Sequence, residues 1–584
     1  MTRHTPPVPV ATTASATPIP DRSGANFFDD DLQLQLLLKL YLPLGLHAHL
    51  LPHFKALGAL AGSTLDAMAH TADHNPPVLS HRTRTGLDAQ SVIKHPAFVQ
   101  MEQLAFSKFG LAAMSHRAGV FDWPEPLPAV AKYALTYLFV QAEFGLCCPV
   151  SMTDSLARTL RKFGSPALVE RYLPGLISQD METLAQGAMF MTEQGAGSDV
   201  AATATRAEPV AGDGDGDGNI APGAWRLTGD KWFCSNPDAE LAMVLARTGD
   251  ASLGIRGVSL FLLPRRLHDG SANHYRIVRL KDKLGTRSMA SGEIQLQGAL
   301  AWLVGEEGRG FVQMADMVNN SRLSNGVRAA GLMRRAVGEA LFIARHREAF
   351  GKKLADLPVM QRQLMKLLLP AEAARSMMFQ TAEALRRADA GDASAYPLVR
   401  ILTPLIKFRA CRDARKVTGD AMEVRGGCGY IEEWSDARLV RDAHLGSIWE
   451  GTSNIVALDV LRAIRREDSL NALMAHLDQL MAQSQISPTL QQQLLATQVL
   501  VRALAETAAQ TDGDALARTA ATALYYLTAA IAMAWEASQC RSQARMRMAA
   551  LVVKHRLLPT NSLLSECDQA SDAGDFALLF ATLS

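Results

Sequence analysis

Charge of one sign is what this sequence has least of. Its 59 lysines and arginines stand against 58 acids, a formal net charge of +1 over 584 residues. That balance offers no global electrostatic pull toward nucleic acid or an anionic membrane. Cysteine is scarce as well: seven residues, an odd number, with no C-x-x-C pair. The pattern argues against a disulfide framework and a zinc site, and a reducing compartment is expected. No apolar run reaches the length of a membrane span. Residues 1–26 are rich in Pro, Thr and Ala and lack the apolar stretch of a secretory signal; their prolines block an amphipathic presequence helix. They read as a flexible tail on a cytoplasmic protein. No G-x-G-x-x-G follows a strand-like run, and there is no P-loop, H-E-x-x-H or G-x-S-x-G. The chemistries those motifs carry drop out.

What is present is apolar bulk. Hydrophobic residues make up 48% and charged ones 20%, enough for a large core. The length suits about three or four domains. From residue 27 to 186 the apolar spacing is helical, as in "DDDLQLQLLLKLYL" and "DSLARTLRKFG". From 187 to 305 short alternating or apolar runs such as "WRLTGDKWFCS", "LAMVLART" and "VSLFLLPRR" predict a β-domain. Long helical patterns return over 306–466 as a bundle, and 467–584 reads as a helical extension. The fold class expected is therefore mainly α with a central β-domain (α+β). The acidic turn "GDGDGDGN" at 212–219 imitates the start of a calcium loop. Ala224 stands where the bidentate Glu belongs and Pro222 interrupts the segment, so no metal is assigned.

Four stretches could carry chemistry. "MTEQGAGSDV" opens the β-domain with Thr192 and Ser198 hydroxyls and with Gly195 and Gly197, which allow close backbone approach. In "GDKWFCSN", Phe233 suits the face of a flat ligand or the core face of a strand, and Ser235 offers a hydrogen bond. In "RHREAFG", Arg347 suits a phosphate or is a solvated helix end. The fourth, from Ala421 to Ile455, holds Gly426, Gly427 and Gly429 and then "GSIWEGTSNI". There Glu450 sits between Trp449 and a Gly-Thr-Ser turn with no cation beside it in the chain. A solvated acid needs no such neighbours, whereas a catalytic base works best unpaired and beside an apolar wall. The alternative is an acid capping the next helix.

In this order, across a helical–β–helical frame, the four stretches resemble the acyl-CoA dehydrogenase family. The resemblance runs from about Asn75 to Arg466, and "NPPVL", "LCCPVSMT", "LKDKLGTRSMASGEI" and "GLMRRA" are similar to its alkylation-response, AidB-like branch. It implies FAD between the β-domain and the C-terminal bundle, with part of its site on a neighbouring subunit. A homo-oligomer follows, typically a tetramer. It further implies an acyl-CoA substrate, dehydrogenated at its α and β carbons, and electron-transfer flavoprotein as acceptor. Glu450 matches the catalytic base and Arg322 a supporting residue beside it. Ser321 stands where other branches carry their glutamate, leaving Glu450 the single candidate. The FAD-binding positions matched are Met191, Thr192, Gly197, Ser198, Phe233, Ser235, Arg347, Phe350, Glu423, Gly426, Gly427, Thr452 and Asn454. Glu423 replaces the family's usual Gln. The branch also implies DNA as a partner. Arg541, Arg545, Arg547, Lys554 and Arg556 form a basic run, with Arg541 and Arg545 spaced to share a helix face. Against it, residues 466–584 hold eight basic and eleven acidic side chains, a net of −3.

Overall fold

The computed structural model describes residues 19–210, 223–558 and 569–583. The acidic turn at 212–219 lies outside them, as do residues 1–18 and Cys567. Helices α1 (Leu32–Tyr41), α2 (Leu44–Ala61) and α3 (Thr64–His74) open the chain. Asp31 caps the first through the Leu34 N–H. After a hairpin of β1 (Val78–Arg82) and β2 (Asp88–Ile93) come α4 (Pro96–Glu102), α5 (Ala129–Phe139), α6 (Cys147–Phe163) and α7 (Pro166–Leu176). Every residue of α5 is buried, as its "AVAKYALTYLF" composition requires.

Two expectations need correction here. The tail reading does not extend over residues 19–26: Arg22 is buried over the Phe27 ring, and the Gly24 N–H donates to Gly62 O. The helical reading of 27–186 missed the β1–β2 hairpin. The Gln90 side chain accepts from Ile277 N, and the Gln90 carbonyl accepts from Arg265, which ties the hairpin to the β-domain.

That domain comprises β3 (Gly187–Phe190), β4 (Arg206–Pro209), β5 (Ala224–Ser235), β6 (Leu241–Arg247), β7 (Val258–Pro264), β8 (Tyr275–Leu280) and β9 (Ser291–Leu303). The sheet order is β3-β6-β4-β5-β9-β7, and β6 also pairs with β7, which closes the sheet on itself. The closure explains the apolar runs. Leu241, Met243 and Leu245 of β6 join the helical core, while Ala242, Val244 and Ala246 join the barrel core. A strand buried on both faces reads as continuous rather than alternating.

The long helices α8 (Gly310–His346), α9 (Pro358–Asp389) and α10 (Ala395–Arg425) form the bundle. A two-residue hairpin, β10 (Glu348–Ala349) with β11 (Lys352–Lys353), joins the first two. Gly326 sits where α8 and α10 cross; a Cβ there would meet Ile406 at 2.7 Å. Then come α11 (Ser435–Gly446) and α12 (Ser453–Glu467). The extension holds α13 (Ser469–Ala482), α14 (Pro488–Ala508), α15 (Ala517–Cys540), α16 (Gln543–Val552) and α17 (Gln569–Phe580). It is built into the bundle, since α15 shares the main core with residues from Phe27 onward. Among the described residues no helix is long and apolar enough to cross a membrane.

Candidate functional site

The loop "MTEQGAGSD" follows β3 and is pinned to β5. Glu193 accepts from Lys231 Nζ at 2.6 Å, from Thr205 Oγ1 at 2.6 Å and from Ala204 N at 2.6 Å. Lys231 is fully enclosed, so this pair is an anchor. It leaves Gly195 and Gly197 free of any neighbour that a Cβ would meet within 4 Å. Beyond them opens a cavity of about 1570 Å³ between the barrel and the helices. Met191, Thr192, Gly197, Ser198, Phe233, Ser235, Arg322, Glu450 and Thr452 all line it. Phe233 is 56% exposed, so its ring belongs to the cavity wall and not to a strand's core face.

Glu450 lies in the turn between α11 and α12. Its φ is +55° and that of Gly451 is +97°. A non-glycine residue held there costs about 1–3 kcal/mol and persists only where its surroundings enforce it. Two cationic side chains bond the backbone around it. Arg322 Nε donates to Glu450 O at 3.0 Å, and its Nη1 pairs with Asp459 of α12 at 2.7 Å. Lys407 of α10 donates to Gly446 O at 2.6 Å and to Gly451 O at 3.4 Å. Among the described residues the Glu450 N–H has no acceptor within the protein.

The carboxyl end differs from the expectation of a base with no cation near it. Arg322 and Arg328 of α8 and Lys407 of α10 come close enough to pull its pKa down, yet none forms a salt bridge with it among the described residues. Each is engaged elsewhere. Arg328 lies 4.8 Å over the Trp449 ring and 5.4 Å over Phe144, which itself stacks on Trp449 at 5.9 Å. Among the described residues Glu450 Oε2 is buried with no partner in hydrogen-bonding geometry; the nearby Ser321 hydroxyl also pulls the carboxyl down, but burial wins and holds it above its ordinary range.

The other predicted positions form a separate group. Arg347 donates to Arg425 O at 3.1 Å, beside Gly426, whose φ is +73°. Phe350, at the tip of the β10–β11 turn, is 95% exposed, and Glu423, in the last turn of α10, and Gly427, just after that helix, are exposed as well. None of the five lines the cavity. Asn454 is also outside it, in the first turn of α12. Residues that sequence reasoning missed include Cys148 and Lys283, both on the cavity wall, together with Lys407 and Arg328 behind it. Burial lowers Lys283 to about 8. A lysine inside the apolar run "PLIKF" was the one signal available for Lys407.

The basic run of the extension is not a stripe. Arg541 ends α15 in a left-handed conformation, so Arg545 begins a new direction in α16 and shares no face with it. Arg545 is fully buried against Glu536 and Glu372, and Arg547 pairs with Asp575.

Family profiles match along most of the chain. Residues 18–183 match "Adaptive response protein AidB N-terminal domain", 188–299 "Acyl-CoA dehydrogenase, middle domain", and 308–465 "Acyl-CoA dehydrogenase, C-terminal domain". The chain is 34% identical over 420 residues to putative acyl-CoA dehydrogenase AidB of Escherichia coli K12, covering 70% of this chain and 73% of that one. It is 31% identical over 467 residues to acyl-CoA dehydrogenase family member 11 of Caenorhabditis elegans, covering 78% and 73%. The crystal structure of C. elegans ACDH-11 in complex with C11-CoA superposes with a TM-score of 0.86 at 25% identity, over 98% of each chain.

Proposed function

The chain belongs to the acyl-CoA dehydrogenase family, with the N-terminal domain of the AidB proteins, and on that premise we propose that it removes the α-proton and β-hydride of an acyl-CoA thioester. It is an oxidoreductase of that family with FAD as cofactor. The observation that carries the proposal is the unpartnered, buried Oε2 of Glu450 on the wall of the cavity between barrel and bundle.

The lining suits a flavin. Hydroxyls of Thr192, Ser198 and Ser235 and the open ring of Phe233 offer a polar edge and an aromatic face to a flat heterocycle. These residues would hold it, and when bound it supplies the hydride acceptor. Everything else falls to the chain. The Glu450 carboxylate, raised by burial, takes the α-proton. The free N–H of Glu450 is available to the thioester oxygen as enolate charge develops there. Trp449 and Phe144 keep that charge dry. Arg322 fixes the backbone of the base.

The exposed group around Arg347, Phe350, Glu423, Gly426 and Gly427 serves, in this reading, the cofactor of a neighbouring subunit in a homotetramer. Light scattering tests the assembly, and Phe350→Ala should weaken FAD retention without touching Glu450. Electron-transfer flavoprotein is the proposed acceptor and the cytoplasm the proposed location. DNA is the weaker partner, because the basic run of the extension is split and partly buried; a salt-dependent shift of duplex DNA would reverse that ranking. The test of the main reading is anaerobic: purified protein is mixed with a panel of acyl-CoAs and the flavin absorbance followed. Bleaching by one chain type names the substrate. A yellow protein that no thioester bleaches refutes the reading.

A further inference from the structure

Lys407 is a buried charge that the chemistry above does not use. It is 2% exposed, on the α10 face that α8 and the α11–α12 turn cover. Its Nζ reaches two carbonyls, Gly446 O at 2.6 Å and Gly451 O at 3.4 Å. Gly446 is the last residue of α11, and Gly451 follows the base. The ammonium thus spans the turn from the residue before it to the one after Glu450. Within that span Glu450 adopts φ +55° and its N–H is left without an acceptor among the described residues. The close fit of α10 under the turn is part of the same device: a Cβ on Gly446 would sit 3.4 Å from Cys411 Sγ, one helical turn beyond Lys407.

We propose that Lys407 is a positioning residue for the reaction: its ammonium draws the Gly446 and Gly451 carbonyls inward and so aims both the Glu450 carboxylate and the Glu450 N–H into the cavity. The inference rests on the function proposed above. Two carbonyl dipoles turned toward a buried cation are held strongly while the nitrogen is charged; the neutral amine keeps two donors but loses much of the attraction. The groups facing it are Glu450 from the turn, Arg322 and Arg328 from α8, and Cys411 from its own helix. Two of these are arginines, and burial pushes the Cys411 thiol up and Lys407 down to about 8. Lys407 is then the group in this cluster that loses its charge under mildly alkaline conditions.

The test is Lys407→Met, which keeps the length of the side chain and removes the charge. The expected result is acyl-CoA binding within about 3-fold of wild type but bleaching slowed about 100-fold, the pattern of a group felt in the transition state and not in the ground state. Wild type should lose rate as pH rises through about 8, and that alkaline limb should vanish in Lys407→Met. A purely structural lysine would lower the melting temperature and leave the pH profile alone. Wild-type rates in Lys407→Met overturn the proposal, and so does an alkaline limb that survives there but disappears in Lys283→Met. Should Lys407→Met fail to fold, a wild-type rate flat from about pH 7 to 10 overturns it equally. Failure of the broader reading looks different, because wild type itself would then not bleach. The turn still decides in that case: a crystal structure of Lys407→Met with Glu450 unmoved refutes the positioning role.

Discussion

Two carboxylates in this protein each hold an oxygen out of water with cations close by, and they are treated in opposite ways. Asp31, at the junction of α1 with α8 and α9, is fully buried and accepts from Arg334 Nε at 2.8 Å and from Arg375 at 3.0 and 2.7 Å. Those guanidiniums hold its carboxyl below the usual range in spite of burial. Glu450 also has cations about it, but each is turned toward a carbonyl, another acid or an aromatic face. Its burial outweighs these cations and the Ser321 hydroxyl, and its carboxyl rises. The lesson is that proximity of charge does not decide the role of a buried acid; the geometry of the nearest donors does. A bonded carboxylate is an anchor, and one without a salt bridge in a cavity wall is left open to the role of base proposed for Glu450.

The sharpest way to break that contrast is Glu450→Gln. It should slow bleaching by about 10³-fold or more, the scale of a lost general base. The variant should retain flavin and melt no lower than wild type, since it removes an unpaired buried charge. Loss of stability together with unchanged bleaching would mean that the two acids had been assigned the wrong way round. Asp31→Ala is the mirror experiment. It strands Arg334 without an acid, leaves Arg375 only Glu372, and should cost about 3–5 kcal/mol in chemical denaturation. Bleaching per folded molecule should stay at the wild-type level. Arg545→Met belongs on the same side of the comparison: Arg545 bonds Glu536 at 2.6 Å and Glu372 at 3.0 Å. Removing it should cost about 3 kcal/mol and leave salt-dependent DNA retention unchanged.

Much of the anchor side was hidden from sequence, and much of the cavity wall was legible. The helical–β–helical order shows in period, and the two-faced burial of β6 and β7 in their unbroken apolar runs. Glu450 stands out because Trp449 and the Gly-Thr-Ser turn are its chain neighbours. Arg328 and Lys407 do not, because each sits in a long helix among apolar residues and meets the turn only after α8, α10 and α11 pack. Arg541 and Arg545 read as one face because four residues separate them on a helix. The left-handed Arg541 ends that helix first. The β1–β2 hairpin was missed for a similar reason, since it borrows its stability from Arg265 and Ile277 far along the chain.

Asp442 offers the finest test, because it lies between the two extremes. It accepts one bond, from Thr286 N at 2.6 Å, where the β-domain loop meets α11. Burial first, and then the charge of Asp73, push its carboxyl up to about 7. Its folded pKa is above the unfolded value, so its contribution to stability is complete below about pH 4 and is lost as pH rises through about 7. Asp442→Asn keeps an oxygen for Thr286 N and removes the proton equilibrium. The variant should therefore match wild type below about pH 4 and exceed it above pH 7, by an amount on the order of 1–2 kcal/mol. The difference is the smallest of the set because Arg438 and Arg441 lie close by. A variant that is equally stable relative to wild type at both pH values would show that Asp442 is already ionised and paired, like Asp31. Three buried acids would then divide two to one, and Glu450 alone would remain on the reactive side.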